Sequence, residues 1–231
     1  MSINKLESLD HGRFKSWHHA QESCLTCALC SSACPVSGVD DFDPRKFVRT
    51  IALGMEPVAV ESRWPWICTM CGKCEALCPA DIAIPDLVRA VRGLREREKV
   101  PGITHKGLQM ALKTGNNLGL PEEDYLFILE DMAEELAEEP GFETFTVPVD
   151  KPGANLLTTI HNKLMNTHTD DLLHWWKIFH AAGEEWTVPK SNWEGTSWGF
   201  FTGDDGAMKI MAGRIVEHME RLKIKNLMWP E

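Results

Sequence analysis

The sequence predicts two folded regions, an α-helical one organised by cysteines and a small α/β one behind it. Three observations carry this. Cys24, Cys27, Cys30 and Cys34, in CLTCALCSSACP, recur at the same spacing as Cys68, Cys71, Cys74 and Cys78 in CTMCGKCEALCP. Each run leads into a segment with apolar residues at helical spacing. Beyond about residue 145 short strand-like stretches alternate with helices, as in an α/β layer.

The first region comprises residues 1–100. Its eight cysteines are all the cysteines of the 231-residue chain. No charged-then-apolar leader opens the sequence, and no apolar run reaches the roughly 18–20 residues that span a bilayer. The expectation is therefore a cytoplasmic protein, where disulfides are disfavoured. Zinc uses paired Cys-x-x-Cys knuckles, four ligands to an ion, and has no use for three sulfurs at three-residue steps. An iron–sulfur cubane does: three thiolates of one run cap three irons, and the fourth cysteine, followed by proline, ligates the other cluster. The expected sites are thus cluster one on Cys24, Cys27, Cys30 and Cys78, and cluster two on Cys68, Cys71, Cys74 and Cys34. Pro35 and Pro79 turn the chain away after each fourth ligand and lack an N–H.

Between the runs, Asp43 is a candidate N-cap, Pro44 suits a first turn, and Phe47, Val48, Ile51 and Ala52 follow before Gly54. After Cys78-Pro79 a second helix is expected, with Leu87, Val88, Val91 and Leu94 on one face and Arg89, Arg92, Arg95 and Arg97 mostly on the other. Cluster loops that lead into helices make an α-helical ferredoxin domain with two 4Fe–4S clusters. Lys73 lies inside the second run, and a nearby cation stabilises a more negative reduced core. The second cluster is therefore expected to reduce first.

Residues 101–144 form an acidic helical connector. The formal charge of −10 is concentrated in 101–145, where Lys106 and Lys113 face ten acids; residues 1–100 balance 13 basic against 13 acidic side chains. A solvated helix face accounts for the acids, and no basic footprint for nucleic acid exists. Pro121 opens a helix with Tyr125, Leu129, Met132 and Leu136 along one stripe, closed by Pro140-Gly141.

Residues 145–231 read as strand (TFTVPVD), helix (DDLLHWWKIFHAAG), strand (EEWTVP), helix (DDGAMKIMAGRIVEHMERL) and strand (KNLMWP). This is a small α/β C-terminal domain, with a parallel sheet expected. Trp175, Trp176, Trp186, Trp193, Trp198 and Trp229 are assigned to core and interface packing rather than to a stacked cofactor. His174, His180 and His218 fall within helical patterns as surface or hydrogen-bonded residues. Gly203, Asp204, Asp205 and Gly206 make a turn and N-cap. Without a Gly-x-Gly-x-x-Gly fingerprint, no nucleotide or flavin site is expected, and no catalytic residue stands out.

Over about residues 15–100, DPRKFVRTIALG, WICTMCGKCEALCP and IPDLVRAVRGLRE resemble the C-type dicluster component of heterodisulfide reductase. The same module occurs in iron–sulfur subunits of anaerobic glycerol-3-phosphate dehydrogenase, fumarate reductase and succinate dehydrogenase. VPVDKPGANLL, HAAGEEWTVP and the stretch from Phe200 onward resemble the start of the cysteine-rich domain of the D-type heterodisulfide reductase group, making 145–231 an incomplete domain of that kind. The Cys-Gly and Cys-Cys-Gly segments of that group have no counterpart in these 231 residues, so the resemblance implies no third cluster. It implies an electron-transfer subunit of a heterodisulfide-reductase-like oxidoreductase complex. The implied partners are a cysteine-rich catalytic subunit and a flavin or iron–sulfur donor, with docking at the inner face of a membrane through those partners. The alternatives are an iron–sulfur subunit of a membrane-linked dehydrogenase for glycerol-3-phosphate, a hydroxy acid or an acyl-CoA system, and an iron–sulfur redox sensor or scaffold. The cysteine motifs specify the cofactor and leave the substrate open.

Overall fold

In the computed structural model, which describes residues 11–230, helices carry the chain through both cysteine runs. They are α1 (His11–Ser23), α2 (Leu29–Ala33), α3 (Pro44–Ala52), α4 (Glu56–Glu61), α5 (Trp64–Ile67), α6 (Lys73–Ala76) and α7 (Ile84–Leu94). Two units are present. One holds these helices together with Phe200–Asp204, and the other holds Ile103–Gly199 with the residues from Asp205 onward. The stretch read from the sequence as a connector lies, from Ile103, in the second unit.

The first unit is built on α3. Asp43 is its N-cap, accepting from the amides of Arg45 at 2.8 Å and Lys46 at 3.4 Å, and Pro44 occupies the first turn. Phe47, Val48 and Ile51 are buried, as their spacing requires. They meet Trp17 and Ala20 of α1 and Leu87, Val88 and Val91 of α7 in a single apolar cluster. Each such side chain contributes about 1.5–3 kcal/mol when removed from water. Cys24, Cys30, Cys34, Cys68 and Cys78 pack on this cluster, and Cys74 is part of it. One expectation fails here. Arg92, placed on the polar face of α7 by the sequence, is only 5% exposed. The turn at 200–203 completes the unit: the Phe200 ring lies 5.3 Å from the Arg89 guanidinium. Gly203 has φ +69°, and a Cβ there would fall 2.4 Å from the Arg89 carbonyl oxygen, so this position tolerates no side chain.

In the second unit the elements are α8 (Gly102–Thr114), α9 (Glu122–Ala137), β1 (Leu156–Thr158), α10 (Thr169–Ala182), β2 (Trp186–Thr187), α11 (Ser197–Thr202), α12 (Asp205–Leu222) and β3 (Asn226–Met228). The last residues of α11 fall in the first unit. Tyr125, Leu129, Met132 and Leu136 bury the stripe of α9 among Leu172, Trp176 and Phe179 of α10. Trp193 is also buried, with its ring stacked on Tyr125 at 5.0 Å. The strands order as β2-β1-β3, all parallel, with Leu156 opposite Trp186 and Leu157 opposite Leu227. Leu157 packs with Ile215, Leu222 and Ile224. TFTVPVD, expected as a strand, keeps a single bridge, Val149 to Val188, while the central strand β1 falls where none was expected. Among the described residues no helix is long and apolar enough to cross a membrane.

Candidate metal centres

The two cysteine runs adopt the same backbone twice. Thr26 and Met70, each two residues after the first cysteine, have φ of 55°. Ala28 and Gly72, each after the second cysteine, have φ of 70° and 77°. From Ala28 and Gly72 a short helix begins: the amides of Ser31 and Ser32 donate to the Ala28 carbonyl, and those of Glu75 and Ala76 to the Gly72 carbonyl, all at 3.0–3.1 Å. Left-handed conformations at Thr, Ala and Met cost on the order of 1–3 kcal/mol each, and such strain gathers at functional sites. Here it bends each loop between its cysteines, the kind of turn from which backbone amides can form a nest for an anionic group. After the fourth cysteine the chain turns alike in both runs, Ser37 N donating to Cys34 O and Asp81 N to Cys78 O.

These loops frame two cavities of similar size. Cys24, Cys27, Cys30 and Cys78 line the first, with Leu29, Val48, Ile82 and Ile84 among its apolar walls. Cys34, Cys68, Cys71 and Cys74 line the second, with Phe42, Ile84 and Val88. Each cavity thus takes three cysteines from one run and the last cysteine of the other. Backbone amides donate to sulfurs of both cavities, among them Met70 N to Cys68 Sγ at 3.3 Å and Ile82 N to Cys78 Sγ at 3.5 Å.

None of the eight cysteines is in a disulfide. Among the described residues no three His, Cys, Asp or Glu side chains converge tightly enough to share one metal ion. A tetrahedral zinc site with Zn–S bonds of about 2.3 Å pulls its sulfurs together, whereas a cubane offers a separate iron to each thiolate. The donor set, the apolar walls and the amides donating to the sulfurs fit a 4Fe–4S cluster.

Exposure differs along each run. Cys27 and Cys71, the middle cysteines, are exposed, while Cys74 is buried. Burial and the neighbouring Cys68 sulfur push the Cys74 thiol up to about 12, and burial raises Cys30 and Cys68 as well. Cys71 goes the other way, its thiolate favoured chiefly by the Lys73 amide. A buried thiol of this kind becomes a thiolate when a metal replaces its proton. At Asp43, burial is outweighed by hydrogen bonds from Ser31 Oγ and the Lys46 and Arg45 amides, which hold the carboxyl below its ordinary range. This cap therefore also fixes α2, the helix carrying Cys30.

Arg92 was missed as a site residue. Its Nε and Nη2 donate to the Pro65 carbonyl at 2.9 and 2.7 Å, and Nη2 also to the Cys68 carbonyl at 2.5 Å. Its Nη1 donates to the Phe201 carbonyl at 2.7 Å and lies 3.2 Å from Met70 Sδ. The guanidinium sits 5.3 Å from the centre of the Trp66 ring. The signal for its burial was the four-residue step from Val88, which returns to the same side of α7. Lys73, the cation chosen from the sequence, is exposed.

Residues 20–82 match the family model of the 4Fe-4S dicluster domain. The C-type iron–sulfur component of CoB–CoM heterodisulfide reductase from Methanopyrus kandleri is 28% identical over 103 residues, 44% of this chain and 54% of that protein. The C-type component of the H2:CoB-CoM heterodisulfide, ferredoxin reductase from Methanothermobacter marburgensis is 27% identical over 104 residues, 45% and 55% of the two chains. A protein from Archaeoglobus profundus, named as similar to the C-type component of heterodisulfide reductase, is 26% identical over 112 residues, 43% and 60% of the two chains. The chain spans about half the length of the relatives it matches. The cysteine-bearing part of this protein is thus a 4Fe–4S dicluster domain similar to that of the C-type iron–sulfur components of heterodisulfide reductases.

Proposed function

We propose that the protein relays single electrons through two 4Fe–4S clusters, one in each cavity, as an iron–sulfur subunit of a heterodisulfide-reductase-like complex. The observation that carries this reading is the exchange of fourth cysteines, Cys78 into the first cavity and Cys34 into the second. When bound, a cubane accepts and returns one electron. The chain holds the sulfurs as thiolates, directs amides at Cys68 and Cys78, and lines both cavities with apolar side chains. Cys27 and Cys71 place the outer edge of each cavity within reach of a donor or an acceptor. α2 carries Cys30 to one cavity, and Cys34, the residue that ends the helix, lines the other. Four residues of helix rise about 6 Å, so one short element brings a sulfur to each of the two cavities. The partners proposed are a cysteine-rich catalytic subunit and a flavin or iron–sulfur donor. The relatives support this assignment, and nothing in the comparisons supports a dehydrogenase for glycerol-3-phosphate, a hydroxy acid or an acyl-CoA.

Metal and sulfide analysis of protein purified without oxygen tests the reading. About eight irons and eight sulfides per chain are expected, with visible absorption that bleaches on reduction. Stoichiometric zinc without sulfide would overturn it.

A further inference from the structure

Arg92 is a buried cation with no carboxylate among its partners in the described residues: the Pro65 and Cys68 carbonyls, the Phe201 carbonyl, the Met70 thioether and the Trp66 ring. Burying a charge without a counter-charge is costly, so such a residue persists where an anion completes it. The guanidinium is pinned to the loop carrying Cys68 and Met70, both of which line the second cavity. We propose that Arg92 sets the potential of the second centre, stabilising its reduced state and making it the higher-potential of the two. This rests on the reading that Cys34, Cys68, Cys71 and Cys74 hold a 4Fe–4S cluster.

Reduction adds one negative charge, and its interaction with a fixed cation grows as the local dielectric falls. Arg92 meets that condition. The first cavity has no equivalent: Arg45 lines it, but its side chain is 43% exposed and faces the Asp43 carboxylate at 3.9 Å. Lys73 is exposed, so water and salt screen it. The inner cation, not the one inside the motif, therefore governs the difference between the centres. The geometry adds a second consequence. Three residues of α7 and the turn after it hold the stretch 200–203, through the Arg89–Phe200 ring contact, the Arg92–Phe201 bond and the Arg97–Thr202 bond at 3.2 Å. That stretch adds the Phe201 carbonyl to the groups that hold the guanidinium.

Redox titration of the full chain, followed by electron paramagnetic resonance, tests the proposal, with the signals assigned through Cys27→Ser and Cys71→Ser. Arg92→Gln should make reduction of the second centre at least tenfold less favourable, about 59 mV for one electron. It should leave the first centre nearly unmoved. Arg92→Lys should restore most of the shift, and Lys73→Gln should do little. An unchanged second potential in Arg92→Gln, or an equal shift of both centres, overturns the proposal. If Arg92→Gln takes up no second cluster, the wild-type protein and Lys73→Gln decide. A second potential insensitive to salt supports the buried cation, and one that falls with salt and with Lys73→Gln refutes it. Iron and sulfide measured on the same wild-type samples separate the two claims. Fewer than two clusters defeats the proposed function and this inference with it; two clusters with potentials indifferent to Arg92 defeat the inference alone.

Discussion

Asp43 does two things at the entrance to α3. Its carboxylate caps the helix through the Arg45 and Lys46 amides and accepts the Ser31 hydroxyl beside Cys30. Asp43→Ala should cost about 1 kcal/mol from the cap alone. Asp43→Asn should retain most of it, as read from denaturant midpoints of the loaded protein. Because the folded state holds this carboxyl below its ordinary range, its contribution is present above the unfolded value and is lost as pH falls through the folded one. The cysteines give a sharper contrast. Cys78 lines the cavity of the first run although it belongs to the second in sequence. Cys78→Ser should therefore damage the centre on Cys24, Cys27 and Cys30, and Cys34→Ser the centre on Cys68, Cys71 and Cys74. Spectroscopy of the two variants would show the opposite pattern if each run kept its own fourth cysteine.

At the scale of the element, the two loops carry the same left-handed turn with different residues, Ala28 in one and Gly72 in the other. A Cβ at Gly72 would meet nothing within 4 Å, so only backbone strain opposes a side chain there. Gly72→Ala should destabilise by about 1 kcal/mol and Ala28→Gly should stabilise slightly, measured as shifts in the denaturant midpoint of cluster loss. How much of this was legible follows from what is local. Phe47, Val48 and Ile51 announce α3 because helical periodicity is a property of neighbouring residues, and Asp43-Pro44 marks its start. The stripe Tyr125, Leu129, Met132 and Leu136 gives α9 for the same reason. β1 was not legible: its three residues alternate with nothing, and they become a strand only through β2 and β3, 30 and 70 residues away. TFTVPVD has strand composition, but Pro148 offers no N–H to a ladder, and the segment keeps the one bridge at Val149. Arg92 escaped because charge was taken as exposure, while its partners are backbone carbonyls that no sequence pattern displays.

For the whole molecule, the two units differ in what holds them. In the first, the sulfurs pack directly on the apolar cluster, so a filled cavity is part of the core. In the second, Tyr125, Trp176, Trp186 and Trp193 build a core of side chains alone. Removing iron with a chelator under oxidation should lower the unfolding midpoint of the first unit. It should leave the near-ultraviolet circular dichroism of the Tyr125–Trp193 stack intact; loss of both signals together would contradict that independence. The central claim, one cubane in each cavity with crossed fourth ligands, is most directly tested by iron anomalous scattering from crystals grown without oxygen. Two four-iron sites should appear, one bonded by Cys24, Cys27, Cys30 and Cys78 and the other by Cys68, Cys71, Cys74 and Cys34. A single site, isolated metal ions, or Cys34 and Cys78 each bound to its own run would contradict the account.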